Sequence, residues 1–228
     1  MTAFVIPAPA QPAVPVAGGG RFPVRRIFCV GRNYADHARE MGGDPDREPP
    51  FFFTKPADAI VTSGAATPYP TETAELHFEI ELVVAIGTAG RDIAVGDALA
   101  HVYGYAVGID LTRRDLQAAA KKGGRPWDMA KGFDASAPIG FIQPASVIGH
   151  PAKGGITLSV DGVIKQSSDL AKMIWSVPET IACLSRLVAL EPGDLIFTGT
   201  PDGVGPTVRG EALHGSVEGV GEILTRIV

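Results

Sequence analysis

Short apolar runs, many alternating with a period of two, follow one another along the chain and are broken every few residues by glycine or proline. That pattern predicts many short strands with a few amphipathic helices between them. The first strand-like run is residues 26–30. Residues 1–20 before it are rich in Pro, Ala and Gly and read as a flexible extension, jointed at Gly18-Gly19-Gly20, with a single domain over 21–228. Asn33 offers an N-cap to a short helix over 34–41, which Gly42-Gly43 would stop, and a polar loop follows over 44–50. Strands are predicted over 51–54 and 60–62, around a Lys55-Pro56 turn, and most clearly over 76–86. A period of two puts His77, Glu79, Glu81 and Val83 on one face of that strand, and Leu76, Phe78, Ile80, Leu82 and Val84 on the other.

Residues 94–101 suggest a short helix leading into a strand over 103–109 that ends at Asp110. Thr112 can cap a helix through Lys122, with Gly123-Gly124 as its stop. Residues 156–160 and 163–166 form a hairpin around Asp161-Gly162. Pro178 opens a helix through Leu190, and a strand over 195–198 runs into a loop over 199–205. The sum is a strand-dominated α+β domain.

Composition narrows the function classes. The 228 residues carry 20 Lys plus Arg against 25 Asp plus Glu, a net charge of −5 that does not favour a polyanion, so no nucleic-acid partner is expected. Prolines 7, 9, 12 and 15 interrupt the uncharged N-terminal stretch, and Pro138, Pro144 and Pro151 interrupt residues 135–152, so neither a secretion signal nor a membrane span is expected. Cys29 and Cys183 lie in apolar surroundings and read as reduced, buried thiols, in keeping with a cytoplasmic protein. Gly203 and Gly205 lack the third glycine of a dinucleotide fingerprint and no phosphate loop occurs, so no nucleotide cofactor is expected. The absence of C-x-x-C and G-x-S-x-G removes zinc-finger and serine-hydrolase readings.

The remaining chemistry is carboxylate-centred. Glu79 and Glu81 share a strand face, close enough to hold a hard divalent cation, although a half-buried strand showing charge to water gives the same spacing. Asp110, at the end of the apolar run Val107-Gly108-Ile109, would be costly to bury alone. If the strand ends converge, the three form a half-shell for Mg²⁺ or Mn²⁺. His37 and Glu40, three apart on the predicted helix, make a candidate general-base pair or a solvated surface pair. Arg114 and Gln117 share a helix face and can grip a carboxylate. Lys131 sits in an apolar setting, and Lys55 and Thr200 lie in turn-like segments.

Six segments occur together and in order. They are GRNYADHARE at 31–40, FTKP at 53–56, HFEIE at 77–81, DLTRRDLQ at 110–117, PWDMAK at 126–131 and GDLIFTGTP at 193–201. Through them the chain resembles the fumarylacetoacetate hydrolase family, in its short acylpyruvase form, from about Arg26 to the end. The resemblance implies mixed β-sheets rolled around a central metal pocket with peripheral helices, and a homodimer. It implies one Mg²⁺ or Mn²⁺ per subunit on Glu79, Glu81 and Asp110, and water activation by His37 and Glu40. Phe78 stands where many relatives have a second His, and it points to the other strand face, so no loss of metal is expected.

The expected activity is hydrolysis of the carbon–carbon bond of a 2,4-diketo acid, best fumarylpyruvate to fumarate and pyruvate, as part of aromatic catabolism. Lys131 would stabilise the departing enolate, Arg114, Gln117 and Thr200 would hold the pyruvate end, and Arg32 and Lys55 would meet the distal carboxylate. Oxaloacetate decarboxylation and dienoic diacid isomerisation would use the same parts. A non-catalytic metal-binding protein is the alternative of another class.

Overall fold

The computed structural model describes residues 4–40 and 48–228, without the side chains of residues 38–40. Its centre is an eight-stranded mixed sheet. The strand Ile80–Ile86 pairs antiparallel with Val102–Ile109 on one side and with Asp194–Phe197 on the other; Asp194–Phe197 runs parallel to Arg26–Gly31, which in turn pairs with Phe51–Lys55. A five-stranded sheet built on the hairpin Gly155–Val160 and Val163–Asp169 and on Ala212–Val217 and Gly221–Ile227 packs beside it.

Both faces of the central sheet are covered, which explains its nearly unbroken apolar runs. Leu82, Val84 and Ile86 join Val107, Ile109 and Ile196 in one core, together with Leu158, Leu213 and Ile223 of the five-stranded sheet and Ile181 and Leu184 of the helix Val177–Leu187. On the opposite face Val83 and Ala85 pack with Ile27, Cys29, Leu195 and Phe197 under a cover of Val14, Val16, Phe22 and Val24. The alternation expected for residues 76–86 therefore holds, but both of its faces are interior.

Several expectations change. The extension expected over 1–20 is shorter: Ala13–Pro15 pairs with Arg21–Pro23, and Val14 is fully buried, because the cover of the second core must come from somewhere and these few apolar residues supply it. The expected strand over 76–86 is divided at Glu79 into Leu76–Phe78, in a separate three-stranded sheet, and Ile80–Ile86. Thr112 does not cap the following helix; it pairs with His77, and the helix is Arg114–Lys122 with Arg113 at its N-cap. Asn33 spends its amide on tying segments together, donating to the carbonyls of Trp175 and Thr198 and accepting from the Trp175 N–H. The helix with Pro178 near its start ends at Leu187 rather than Leu190 and opens with a Ser176–Glu179 capping box. Cys29 is buried, but Cys183 is only half-buried. The glycine stop at 42–43 lies outside the described residues. No helix among the described residues is long and apolar enough to cross a membrane.

Candidate active site

The site forms where the strand ends meet. Ile80 is in register with Ile109, and the ladder continues one step further as the Asp110 N–H donates to the Glu79 carbonyl at 2.8 Å. Glu79, Glu81 and Asp110 are all buried, and one carboxylate oxygen from each lies within 4.8 Å of the others. The loop after Asp194–Phe197 closes the group, with the Gly199 N–H donating to Glu81 Oε2 at 2.7 Å.

Three cations pair with Glu79 and Asp110. Lys131 Nζ donates to Glu79 Oε2 and Asp110 Oδ2, both at 2.8 Å, and to the Thr112 hydroxyl at 2.6 Å. Arg114 reaches Glu79 Oε1 at 2.5 Å and Gln117 Oε1 at 2.6 Å. Lys55 Nζ lies 2.8 Å from Asp110 Oδ1 and donates to the Leu111 and Lys131 carbonyls. This corrects the expected role of Lys55: its ammonium is fully buried behind the carboxylates as a fixed counter-charge, and it is not among the residues lining the cleft. A lysine beside a proline reads as an exposed turn residue, but here it ends a strand directed at Asp110.

The protonation pattern follows from that arrangement. Burial alone would raise the Glu79 carboxyl, but Lys131 and Arg114 outweigh it and hold it well below the usual carboxylate range. Glu81 has no such partner, and burial, then Asp110 and Glu79, push it well above that range. Burial would lower Lys131, yet Asp110 and Glu79 keep its ammonium above the ordinary lysine value. His77 is pressed down to about 4 by burial and then by Arg114, to which its Nδ1 lies 3.4 Å away, so it is neutral at pH 7.

The residues present fit a hard divalent cation. All three candidate ligands are oxygen donors, as Mg²⁺ and Mn²⁺ prefer. Among the described residues Glu81 is the buried member of the three without an ion-pair partner, set beside Asp110 and Glu79. A buried carboxylate without a counter-charge is costly unless a cation completes it.

Glu79 and Glu81 form the floor of a cleft lined also by Arg32, His37, Arg114, Gln117, Lys131 and Thr200, with Asp110 fully buried behind them. Of the expected site residues, eight thus line the cleft, Asp110 and Lys55 lie paired behind it, and the side chain of Glu40 lies outside the described residues. His37 is buried, on the short helix Ala35–Glu40, and near enough for its charge to bear on Glu79. Phe51, Phe53, Lys121 and Trp127 also line the cleft and were not foreseen. Lys121 had a readable signal, since it follows Arg114 by seven and Gln117 by four on one helix face. Gln166 had none: fully buried in the Val163–Asp169 strand, it accepts from the Ile80 N–H and donates to the Thr200 hydroxyl and the Pro201 carbonyl, fixing both walls.

The sequence model of the fumarylacetoacetate (FAA) hydrolase C-terminal family matches residues 26–228. The chain belongs to this family. Fumarylpyruvate hydrolase from Ralstonia sp is 46% identical over 185 residues, covering 80% of this chain and 96% of the relative. The mitochondrial oxaloacetate tautomerase of Homo sapiens is 40% identical, covering 86% and 88%. Among solved structures, fumarylpyruvate hydrolase from Pseudomonas aeruginosa in complex with Mn²⁺ and pyruvate superposes with a TM-score of 0.97 at 53% identity, over 99% of each chain. The expected family and fold are thus upheld, a relative of this fold holds Mn²⁺, the acidic triad here could hold such an ion, and the chain is an enzyme of this hydrolase and isomerase group.

Proposed function

We propose that the protein hydrolyses fumarylpyruvate to fumarate and pyruvate. The observation that carries this reading is the cleft itself, which joins Glu79 and Glu81 of the acidic triad and the Arg114–Gln117 pair to a buried histidine. The similarity to a fumarylpyruvate hydrolase solved with Mn²⁺ and pyruvate supports it.

A divalent cation on Glu79, Glu81 and Asp110 would supply Lewis-acid polarisation and charge stabilisation at the pyruvoyl end of the substrate. Arg114 and Gln117 offer donors to the adjoining carboxylate, a planar recognition that Lys could not give, and the Thr200 hydroxyl, set by Gln166, lines the same end. His37 takes a proton from water, and the resulting nucleophile adds to C4. The C3–C4 bond then breaks, its electron pair passing to C3 of the pyruvate half, which leaves as the enolate and is protonated to pyruvate; the other half leaves as fumarate. The Lys131 ammonium, already held on the floor, faces the charge that develops there.

Pyruvate release from fumarylpyruvate, measured with Mg²⁺ or Mn²⁺ and again after chelation, tests the reading. Release should depend on metal, and His37→Ala should lower it by roughly 10² or more, the usual worth of a positioned base. Unchanged hydrolysis in that variant would remove His37 from its role. The 40% identity to oxaloacetate tautomerases favours a second reading, in which the same pyruvate-end residues act on oxaloacetate by proton transfer alone. Turnover of oxaloacetate above that of fumarylpyruvate would establish it.

A further inference from the structure

Beyond the triad the cleft has a second charged end. Arg32 sits immediately after the Arg26–Gly31 strand with a left-handed backbone, φ 58°, a conformation that a non-glycine residue holds only when its surroundings demand it. Its Nε is buried and has no hydrogen-bond partner. Its guanidinium stands 6.0 Å from the centre of the Phe51 ring; Phe51 meets Trp127 edge to face at 5.3 Å, and the Lys121 ammonium stands 5.2 Å from the centre of the Trp127 ring. Two cations are therefore seated on two touching rings. Among the described residues neither has a carboxylate partner, whereas Arg114 and Lys131 on the floor of the cleft each have one. Partial burial, then Arg32 and Arg114, hold the Lys121 ammonium below its ordinary value, as expected where positive groups crowd one another.

The helix Arg114–Lys122 sets the spacing. Arg114, Gln117 and Lys121 follow one another along one face, and Arg114 to Lys121 spans about 10 Å at the usual rise per residue. The first two face the triad and the third stands at the mouth. Such a rail suits an extended diacid, one carboxylate at each end, and leaves the far end empty for a four-carbon diacid or a neutral acyl group.

We propose that Arg32 and Lys121, carried on the Phe51–Trp127 ring pair, form the recognition site for the distal carboxylate of a long, extended dicarboxylic substrate. The inference rests on the acylpyruvate reading and adds its specificity. A carboxylate bound there gives the Arg32 guanidinium and the Lys121 ammonium a shared counter-charge and relieves the repulsion between the two cations, while the rings exclude water on one side. Discrimination arises because a substrate without the distal carboxylate leaves both cations unpaired.

The test uses Lys121→Gln, which keeps length and helix propensity, and Arg32→Asn, since Asn tolerates the left-handed backbone. The ratio of kcat/KM for fumarylpyruvate over acetylpyruvate, with metal present, should be above one in the natural chain and should fall at least tenfold in each variant, mainly through KM; Lys121→Arg should restore most of it. Calorimetric titration with fumarate in the presence of Mn²⁺ and saturating pyruvate, which fills the triad end and leaves fumarate the distal one, provides a readout apart from turnover, and its affinity should fall at least tenfold in both variants. An unchanged ratio with hydrolysis intact would overturn the recognition site and leave the hydrolase reading standing. Silence on both acylpyruvates together with loss of fumarate binding in the variants would do the reverse, and fumarate affinity equal in all three proteins would overturn the site whatever the turnover.

Discussion

Glu81 governs how the site responds to pH. Glu79 has Lys131 and Arg114 and stays ionised, but among the described residues Glu81 receives only the Gly199 N–H, and it faces two other carboxylates, so burial and repulsion raise it. A carboxyl that is higher in the folded than in the unfolded chain contributes stability below its unfolded value of about 4.3, and that contribution is lost as pH rises through the folded value. The metal-free protein should therefore lose this contribution as pH rises above about 4.3, where the low-lying Glu79 has already made its opposite one, while a divalent cation, which takes the proton's place, should bind more tightly over the same range. Calorimetry with Mn²⁺ in buffers of different ionisation enthalpy should detect protons released on binding; no release and a pH-independent affinity would show Glu81 already ionised. Glu81→Gln should abolish metal binding yet leave the Tm of the metal-free protein at neutral pH equal or higher. The triad was legible because acidic residues inside apolar strands carry a burial cost that something must offset. Lys55 was misjudged because its true partner, Asp110, is distant in sequence, and nothing near Lys55 announces it.

Among the elements, the loop after Asp194–Phe197 shows how backbone rather than side chains holds the triad. Gly199 has φ 95°, a Cβ on it would lie 2.6 Å from the Asn33 Cβ, and its N–H is the donor to Glu81. Gly210, at φ 94°, has open space around it. Gly210→Ala should thus show conformational strain alone, about 1 kcal/mol, whereas Gly199→Ala adds the clash and should cost about 2–3 kcal/mol. At about 2–4 °C per kcal/mol for a chain of this size, thermal melts separate the two, and only Gly199→Ala should also weaken Mn²⁺ binding. Equal melts and equal metal affinity would mean that the loop yields freely. Strand periodicity was readable here, since each buried face leaves its mark every second residue. The helix caps were not: Thr112 and Asn33 have cap chemistry, but one is claimed by a strand pairing with His77 and the other by Trp175 and Thr198, contacts that only the assembled fold creates.

At the scale of the molecule, the catalytic face depends on a cover drawn from residues that looked dispensable. Val14, Val16, Phe22 and Val24 close the second core over Ile27, Cys29, Leu195 and Phe197, the same strands that deliver Gly31, Arg32 and Gly199 to the cleft. Residues 4–10, by contrast, are exposed, with Phe4 at 82%, Val5 at 100% and Ile6 at 71%. The Pro/Ala/Gly composition of the first twenty residues hid this boundary, because a three-residue strand carries too short a pattern to stand out. Four buried side chains at about 1.5 kcal/mol each, the lower end for such groups, amount to about 6 kcal/mol, comparable with the roughly 5–15 kcal/mol by which whole domains are stable. Deleting residues 1–10 should therefore leave the Tm and the Mn²⁺ affinity of the purified protein within error of the full chain. Deleting residues 1–24 should prevent accumulation of folded protein, even though every residue that lines the cleft is retained. A folded, metal-binding product of the longer deletion would show that the central sheet closes its second face without that cover, and that the cleft is built entirely from the strands beneath it.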